Sequence, residues 1–122
     1  MKDQLIEFKT AKLAKERGFD IPCKTYYSKE GKDHSSKQRI THKSLRSGGY
    51  LKSTQSQLQK WLRDVHDIHT VLIIDPHSQV GLYGYKIYGY DTNEFKCLKT
   101  ENLHLSYEGA MELALLNGLK LI

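Results

Sequence analysis

The stretch TQSQLQKWLRDVHDIHTVLIID, residues 54–75, decides the fold: an amphipathic helix that runs almost directly into a strand. Thr54 and Gln57 have capping-box spacing, in which the Thr hydroxyl accepts from the Gln57 amide and the Gln57 side chain accepts from the Thr54 amide. Leu58, Trp61, Leu62 and Val65 follow at i, i+3, i+4 and i+7, one stripe of a 3.6-residue helix. Gln59, Lys60, Arg63 and Asp64 take the other side. Trp61 is large enough to seed the core, and its ring nitrogen needs a partner. Beyond His66 the period changes. Residues 70–74 (TVLII) are mostly β-branched and apolar from Val71 on, the pattern of a strand covered on both faces, and Asp75-Pro76 ends it because proline offers no amide to a ladder.

Upstream, Lys2 to Arg17 reads as a first helix. Leu5, Phe8, Ala11 and Ala14 form its stripe, flanked by Ile6 and Leu13. Asp3 and Glu7 near its start and Lys15 and Arg17 near its end suit the helix dipole. Gly18 is placed to be the C′ residue, Phe19 to fold back on the last turn, and Pro22 to confirm the stop. Downstream, Val80–Tyr90 (VGLYGYKIYGY) reads as a strand whose Gly84 and Gly89 mark a bulge or a close backbone approach. Asp91–Glu94 has turn composition, and Phe95–Leu98 returns as the second strand of an antiparallel hairpin. Ser106 caps a last helix from Tyr107, with Glu108 in its first turn. That helix is apolar well past half its circumference, so it is expected to pack on the sheet and to share a homodimer contact through Tyr107–Ile122.

The whole chain, 1–122, is expected to form a single α+β domain: three helices on a small sheet containing the hairpin, with a basic, loop-rich and partly mobile segment at 24–53. Its length is enough to bury about two thirds of the unfolded surface. Within 24–53, Lys24–Tyr27 and Arg39–His42 read as a second hairpin around a turn at Glu30–Lys32, and Ser47–Gly49 as a flexible joint. No apolar run approaches the roughly 20 residues of a membrane span, and Met-Lys-Asp-Gln does not open a secretory signal. A cytoplasmic protein without a membrane partner is expected. Cys23 and Cys97 then read as buried free thiols ahead of a disulfide.

Charge is unevenly distributed. Residues 1–52 hold 13 Lys/Arg and 6 Asp/Glu, a net of +7, while residues 53–122 hold 6 and 8, a net of −2. Residues 24–52 alone carry 8 basic and 2 acidic side chains. Such asymmetry suits a surface for phosphates or for an acidic protein, or else a solvated, mobile loop kept soluble by lysines. The candidate contacts are Lys24, Lys29, Lys32, Lys37, Arg39, Lys43 and Arg46, phosphate-directed and weak in sequence preference, with Tyr83 and Tyr85 as stacking aromatics.

Residues 83–88 partly match the aromatic octapeptide of RNA-recognition domains, but Gly81-Leu82 stand where a basic residue and glycine are needed, and the element order differs. Helix-turn-helix is opposed by the strand that follows the 54–66 helix. His66 and His69 straddle the helix–strand junction without cysteines or carboxylates in ligand spacing, so no metal or other cofactor is expected. There is no phosphate-binding loop, dinucleotide-binding glycine pattern, nucleophile elbow or HExxH helix. A nuclease would have to be assembled from Asp64, Asp67, Asp75 and nearby histidines, so no catalytic residue is assigned.

Three passages resemble small uncharacterised proteins encoded by bacterial phages and prophages: FKTAKLAKERGFD (8–20), TQSQLQKWLRDVHDIH (54–69) and LSYEGAMELALLNGLKLI (105–122). The resemblance implies a phage source, a bacterial host cytoplasm and a compact α+β fold. Small phage proteins often act by binding, among them inhibitors of host defence such as anti-CRISPR proteins and sponges for signalling nucleotides. The expectation is a non-catalytic binding protein contacting a nucleic acid, a nucleotide, or a host protein or ribonucleoprotein. The runner-up is a dimeric interaction protein whose basic segment meets an acidic protein.

Overall fold

A computed structural model describes residues 4–45, 48–74 and 82–122, with backbone only at 102–105. Along the chain lie α1 (Phe8–Glu16), β1 (Cys23–Tyr27), β2 (Asp33–Ile40), a 3-10 turn (His42–Ser44), β3 (Tyr50–Leu51), α2 (Gln55–His66), β4 (His69–Ile74), β5 (Tyr83–Asp91), β6 (Glu94–Leu105) and α3 (Tyr107–Lys120). The α+β class holds. In place of one small sheet, the described strands form two three-stranded antiparallel sheets, ordered β2-β1-β3 and β4-β5-β6. The chain divides into two compact units, Met1–Leu58 and Gln59–Ile122. This boundary coincides with the charge boundary, since residues 53–58 carry no charged side chain.

In the first unit the capping box forms: Thr54 N–H donates to Gln57 Oε1 at 2.9 Å, and Gln57 N–H donates to Thr54 Oγ1 at 3.1 Å. Of the helix expected over Lys2 to Arg17, residues 2–3 lie outside the described residues, and α1 runs over Phe8–Glu16. Residues 4–6 are instead extended, because Leu5 bridges Thr54, Ile6 N–H donates to the Ser53 carbonyl at 2.9 Å and Gln55 N–H to the Gln4 carbonyl at 2.7 Å. Tyr27 pins this segment by donating its hydroxyl to the Ile6 carbonyl at 2.7 Å. At the other end of α1, Phe19 N–H reaches the Ala14 carbonyl and Gly18 N–H the Lys15 carbonyl, the paired bonds of a Schellman cap. Gly18 there has φ +91°, and Phe19 is buried. The segment expected to be loop-rich carries β1, β2, the 3-10 turn and β3. Its hairpin turns at Ser28–Lys32, where Gly31 has φ +89° and a Cβ would sit 3.0 Å from the Phe8 ring.

In the second unit, Leu62 and Trp61 of α2 are buried as expected, but Val65 is 59% exposed, outside the stripe. Asp67 ends the helix in a left-handed conformation (φ +54°), and Ile68 N–H folds back to the Leu62 carbonyl. β4 is an edge strand of its sheet, and its apolar run is covered only in part: Val71 and Ile74 are exposed, against the expectation of two covered faces. β5 is central and buries Tyr85 and Ile87 completely. The ladder slips at Gly84, and a Cβ on Gly89 would lie 2.8 Å from the Leu98 side chain, so one glycine marks an irregularity and the other a close approach. Thr92 and Asn93 both have positive φ, the geometry of a two-residue hairpin turn matched to strand twist.

α3 starts at the expected cap, with Gly109 N–H donating to Ser106 Oγ at 3.1 Å, and lies against β4, β5 and β6. Ala110, Ala114, Leu115 and Leu119 are fully buried in the single chain, which leaves Tyr107, Leu121 and Ile122 as the exposed large apolar groups of 107–122. Cys23 is buried, but Cys97 is exposed on β6, contrary to its expected burial, and both are free. No helix among the described residues is long and apolar enough to cross a membrane.

Two stability effects are expected from chemical denaturation. Thr54→Ala removes one half of the reciprocal cap and costs about 1 kcal/mol. Asn117→Ala costs about 1–3 kcal/mol, because Asn117 Nδ2 donates to the buried Tyr85 hydroxyl at 2.8 Å and the variant leaves that oxygen with one partner fewer.

Candidate anion-binding cleft on the first sheet

β1 and β2 do not pair evenly. Cys23 faces Ile40 while Thr25 faces Ser35, so four residues of β2 (36–39) stand opposite the single Lys24 of β1, an excess of three. The excess is a bulge, which breaks the ladder and re-aims side chains. It displays Lys37, Gln38 and Arg39, all exposed. Beside it opens a cleft of about 240 Å³ lined by Leu5, Pro22, Cys23, Lys24, Thr25, Arg39, Lys52, Thr54 and Gln57. Three of these side chains are cationic; none is a carboxylate or an imidazole.

The cleft walls are held from several directions. Lys52 N–H donates to the Thr25 carbonyl at 2.9 Å, and Thr25 Oγ1 donates to the Lys52 carbonyl at 2.7 Å. Lys52 Nζ lies 2.7 Å from Asp33 Oδ1 and 4.8 Å from the Tyr27 ring centroid. Burial of Lys52 disfavours its charge, but the bond to Asp33 and the neighbouring Tyr27 outweigh this and raise its pKa. The Lys52 side chain is 16% exposed and that of Asp33 73%, so this pair orients a cation more than it stabilises the fold. Cys23 donates its thiol to the Ile21 carbonyl at 3.2 Å, and burial pushes the thiol up to about 11 against the lowering field of Arg39. A thiol kept neutral adds no negative charge and is a poor nucleophile.

Lys24, Lys29, Lys32, Lys37, Arg39 and Lys43 are all exposed in the first unit; Lys24 and Arg39 line the cleft, and Arg46 lies outside the described residues. The tyrosines belong to the second unit. Tyr83 packs edge-on against Tyr107 at 5.4 Å. Tyr85 has no exposed surface, so it leaves the set of stacking residues: alternation on a central strand turned it into the core. Burial first, and the Glu101 charge next, push its hydroxyl up to about 12. On the same sheet as Lys24 and Arg39, Tyr26 and exposed His34 pair directly across β1 and β2 and stack at 5.3 Å and 18°. Sequence reading passed over this pair because neither residue stands in an aromatic motif. It likewise saw Thr54 and Gln57 only as a cap.

The remaining histidines and acids have local roles. His66 packs edge-on against Trp61 at 4.8 Å and His69 against Phe95 at 5.4 Å. Asp64 lies 3.4 Å from Arg63, Asp67 turns the end of α2, and Asp75 and His77 fall outside the described residues. No group of three or more His, Cys, Asp or Glu among the described residues could hold a metal ion. His42 is built into the first unit: its N–H donates to Asp20 Oδ1 at 2.9 Å, and its Nε2 accepts from Leu51 N–H at 3.1 Å. Burial, then Lys15, lowers its pKa, against the opposing pull of Asp20 and the Phe19 carbonyl. The neutral ring is required because a proton on Nε2 would remove the acceptor used by Leu51.

The chain matches no family model, no curated protein and no solved structure.

Because His42 titrates lower in the folded than in the unfolded chain, the unfolded chain holds the extra proton between the two pKa values. Its contribution to stability is therefore complete above the ordinary value of 6.5 and is lost as pH falls below it. Urea denaturation across that range is expected to show stability dropping with acid, and His42→Gln to remove part of the slope.

Proposed function

We propose that the protein is a non-catalytic binding protein that holds an anionic partner, a nucleic acid strand or a nucleotide, against the cationic sheet β2-β1-β3. The observation that carries this reading is the exposure of Lys24, Lys29, Lys32, Lys37, Arg39 and Lys43 together on one unit. That unit has 13 basic and 6 acidic side chains, and one of the acids, Asp33, is bound to Lys52. Clustered cations raise the local concentration of an anion and speed its encounter. The stacked Tyr26–His34 pair favours a strand with bases, since base–aromatic stacking tolerates any sequence. A cleft without carboxylate or imidazole, and with its thiol held neutral, suits holding more than turnover. The resemblance to phage-encoded proteins extends the reading to inhibition of a host defence by occupying its nucleic acid or nucleotide.

Electrophoretic mobility of single-stranded and duplex RNA and DNA at rising salt tests this. If all six exposed cations meet phosphates of a single strand, log K is expected to fall with log salt at a slope of about −4, roughly 0.7 per contact. Lys37→Gln, Arg39→Gln and Lys43→Gln together flatten that slope by about 2. Tyr26→Ala is expected to weaken strand binding by about 1–3 kcal/mol at constant slope. Absence of binding at low salt overturns the reading and leaves an acidic protein as the partner.

A further inference from the structure

The cleft at the β2 bulge has a charge and a size of its own, distinct from the general positive field. Lys24, Arg39 and Lys52 line it, whereas Asp33, which is bonded to Lys52, does not. Among the described residues neither Lys24 nor Arg39 is ion-paired with a carboxylate. Three cations with one of them neutralised leave two positive charges for a ligand. Gln57, whose Oε1 accepts from Thr54 N–H, also lines the cleft and adds no charge to it. The N-terminal turn of α2 contributes Thr54 and Gln57 to the same wall, adding the positive end of the helix dipole. The thiol of Cys23 is neutral, so nothing in the lining repels an anion.

We propose that this cleft receives a phosphomonoester dianion, the terminal phosphate of a nucleic acid strand or of a nucleotide; the inference rests on the anion-binding reading above and narrows it to one group. A phosphomonoester carries close to two negative charges near neutral pH, because its second pKa is about 6, whereas an internal diester carries one. Two net positive charges match the former. At about 240 Å³ the space lies below the roughly 300–1,000 Å³ of pockets that bury a whole drug-sized ligand, so sugar and base remain outside. Arg39 is the residue suited to a two-pronged grip on phosphate oxygens, with the lysines as point charges.

The test is amide-resonance titration of the full chain at mildly alkaline pH with methyl phosphate and dimethyl phosphate, followed by oligonucleotides of one sequence bearing either a 5′-phosphate or a 5′-hydroxyl. Methyl phosphate is expected to shift amides of residues 23–25, 39 and 52–57, and to bind at least about tenfold more tightly than dimethyl phosphate. Lys24→Gln with Arg39→Gln, both exposed positions, is expected to remove that preference while circular dichroism stays unchanged. Lys37→Gln with Lys43→Gln, away from the lining, is expected to preserve it. A nucleoside 5′-monophosphate arm separates the two sources: a phosphorylated strand that binds far more tightly identifies a strand end, and equal affinities identify a free nucleotide. Equal binding of phosphorylated and unphosphorylated strands, with no response to methyl phosphate, overturns the cleft while leaving strand binding intact. Failure of every phosphate and every strand overturns both readings.

Discussion

The first unit depends on the short passage from Lys52 to Gln57, where one stretch of backbone serves three neighbours at once. Lys52 bonds to Thr25 on β1, Ser53 and Gln55 bond to the extended residues 4–6, and Thr54 exchanges bonds with Gln57 to start α2. Each bond satisfies a backbone group that burial would otherwise leave without a partner, and an orphaned buried amide or carbonyl is costly. The cap therefore does more than begin a helix. It fixes the conformation of Thr54, and through it the wall of the cleft.

Placement of charge follows from that arrangement. β2 is an edge strand, and edge strands invite pairing with other chains unless something discourages it. Lys37 and Arg39 on its bulge meet that need, and the same bulge turns Arg39 toward the cleft beside Cys23 and Lys24. Protection of an edge and attraction of an anion are thus compatible uses of the same side chains. β4, the apolar edge of the second sheet, has one outward carbonyl taken up: Gln59 Nε2 donates to the Thr70 carbonyl at 3.0 Å.

The second unit shows what a large apolar helix does when a sheet is present. α3 is apolar on most sides, and its pattern alone fits either a sheet-packed helix or a subunit contact. In the single chain Leu115 and Leu119 are already withdrawn from water. Tyr85 illustrates the same process in a residue that looked like a ligand platform. Its ring is core, and its hydroxyl is satisfied by Asn117.

Local signals were legible because their energetics are local. The capping box at Thr54, the Schellman stop at Gly18 and Phe19, the Ser106 cap, the turn at 91–94 and the buried Trp61 and Leu62 each depend on residues a few positions apart, so composition and spacing determined them. Tertiary structure decided what depends on distant partners: that residues 4–6 are extended because 53–55 bond to them, that β4 is an edge, and that 24–53 builds strands and a bulge. It also decided that Tyr85 turns inward while Tyr26 and His34 stack across β1 and β2. The number of lysines and arginines could be read from the chain, but the meeting of Lys24, Arg39 and Lys52 at one cleft could not, because a bulge is a mismatch between two strands and neither strand alone contains it.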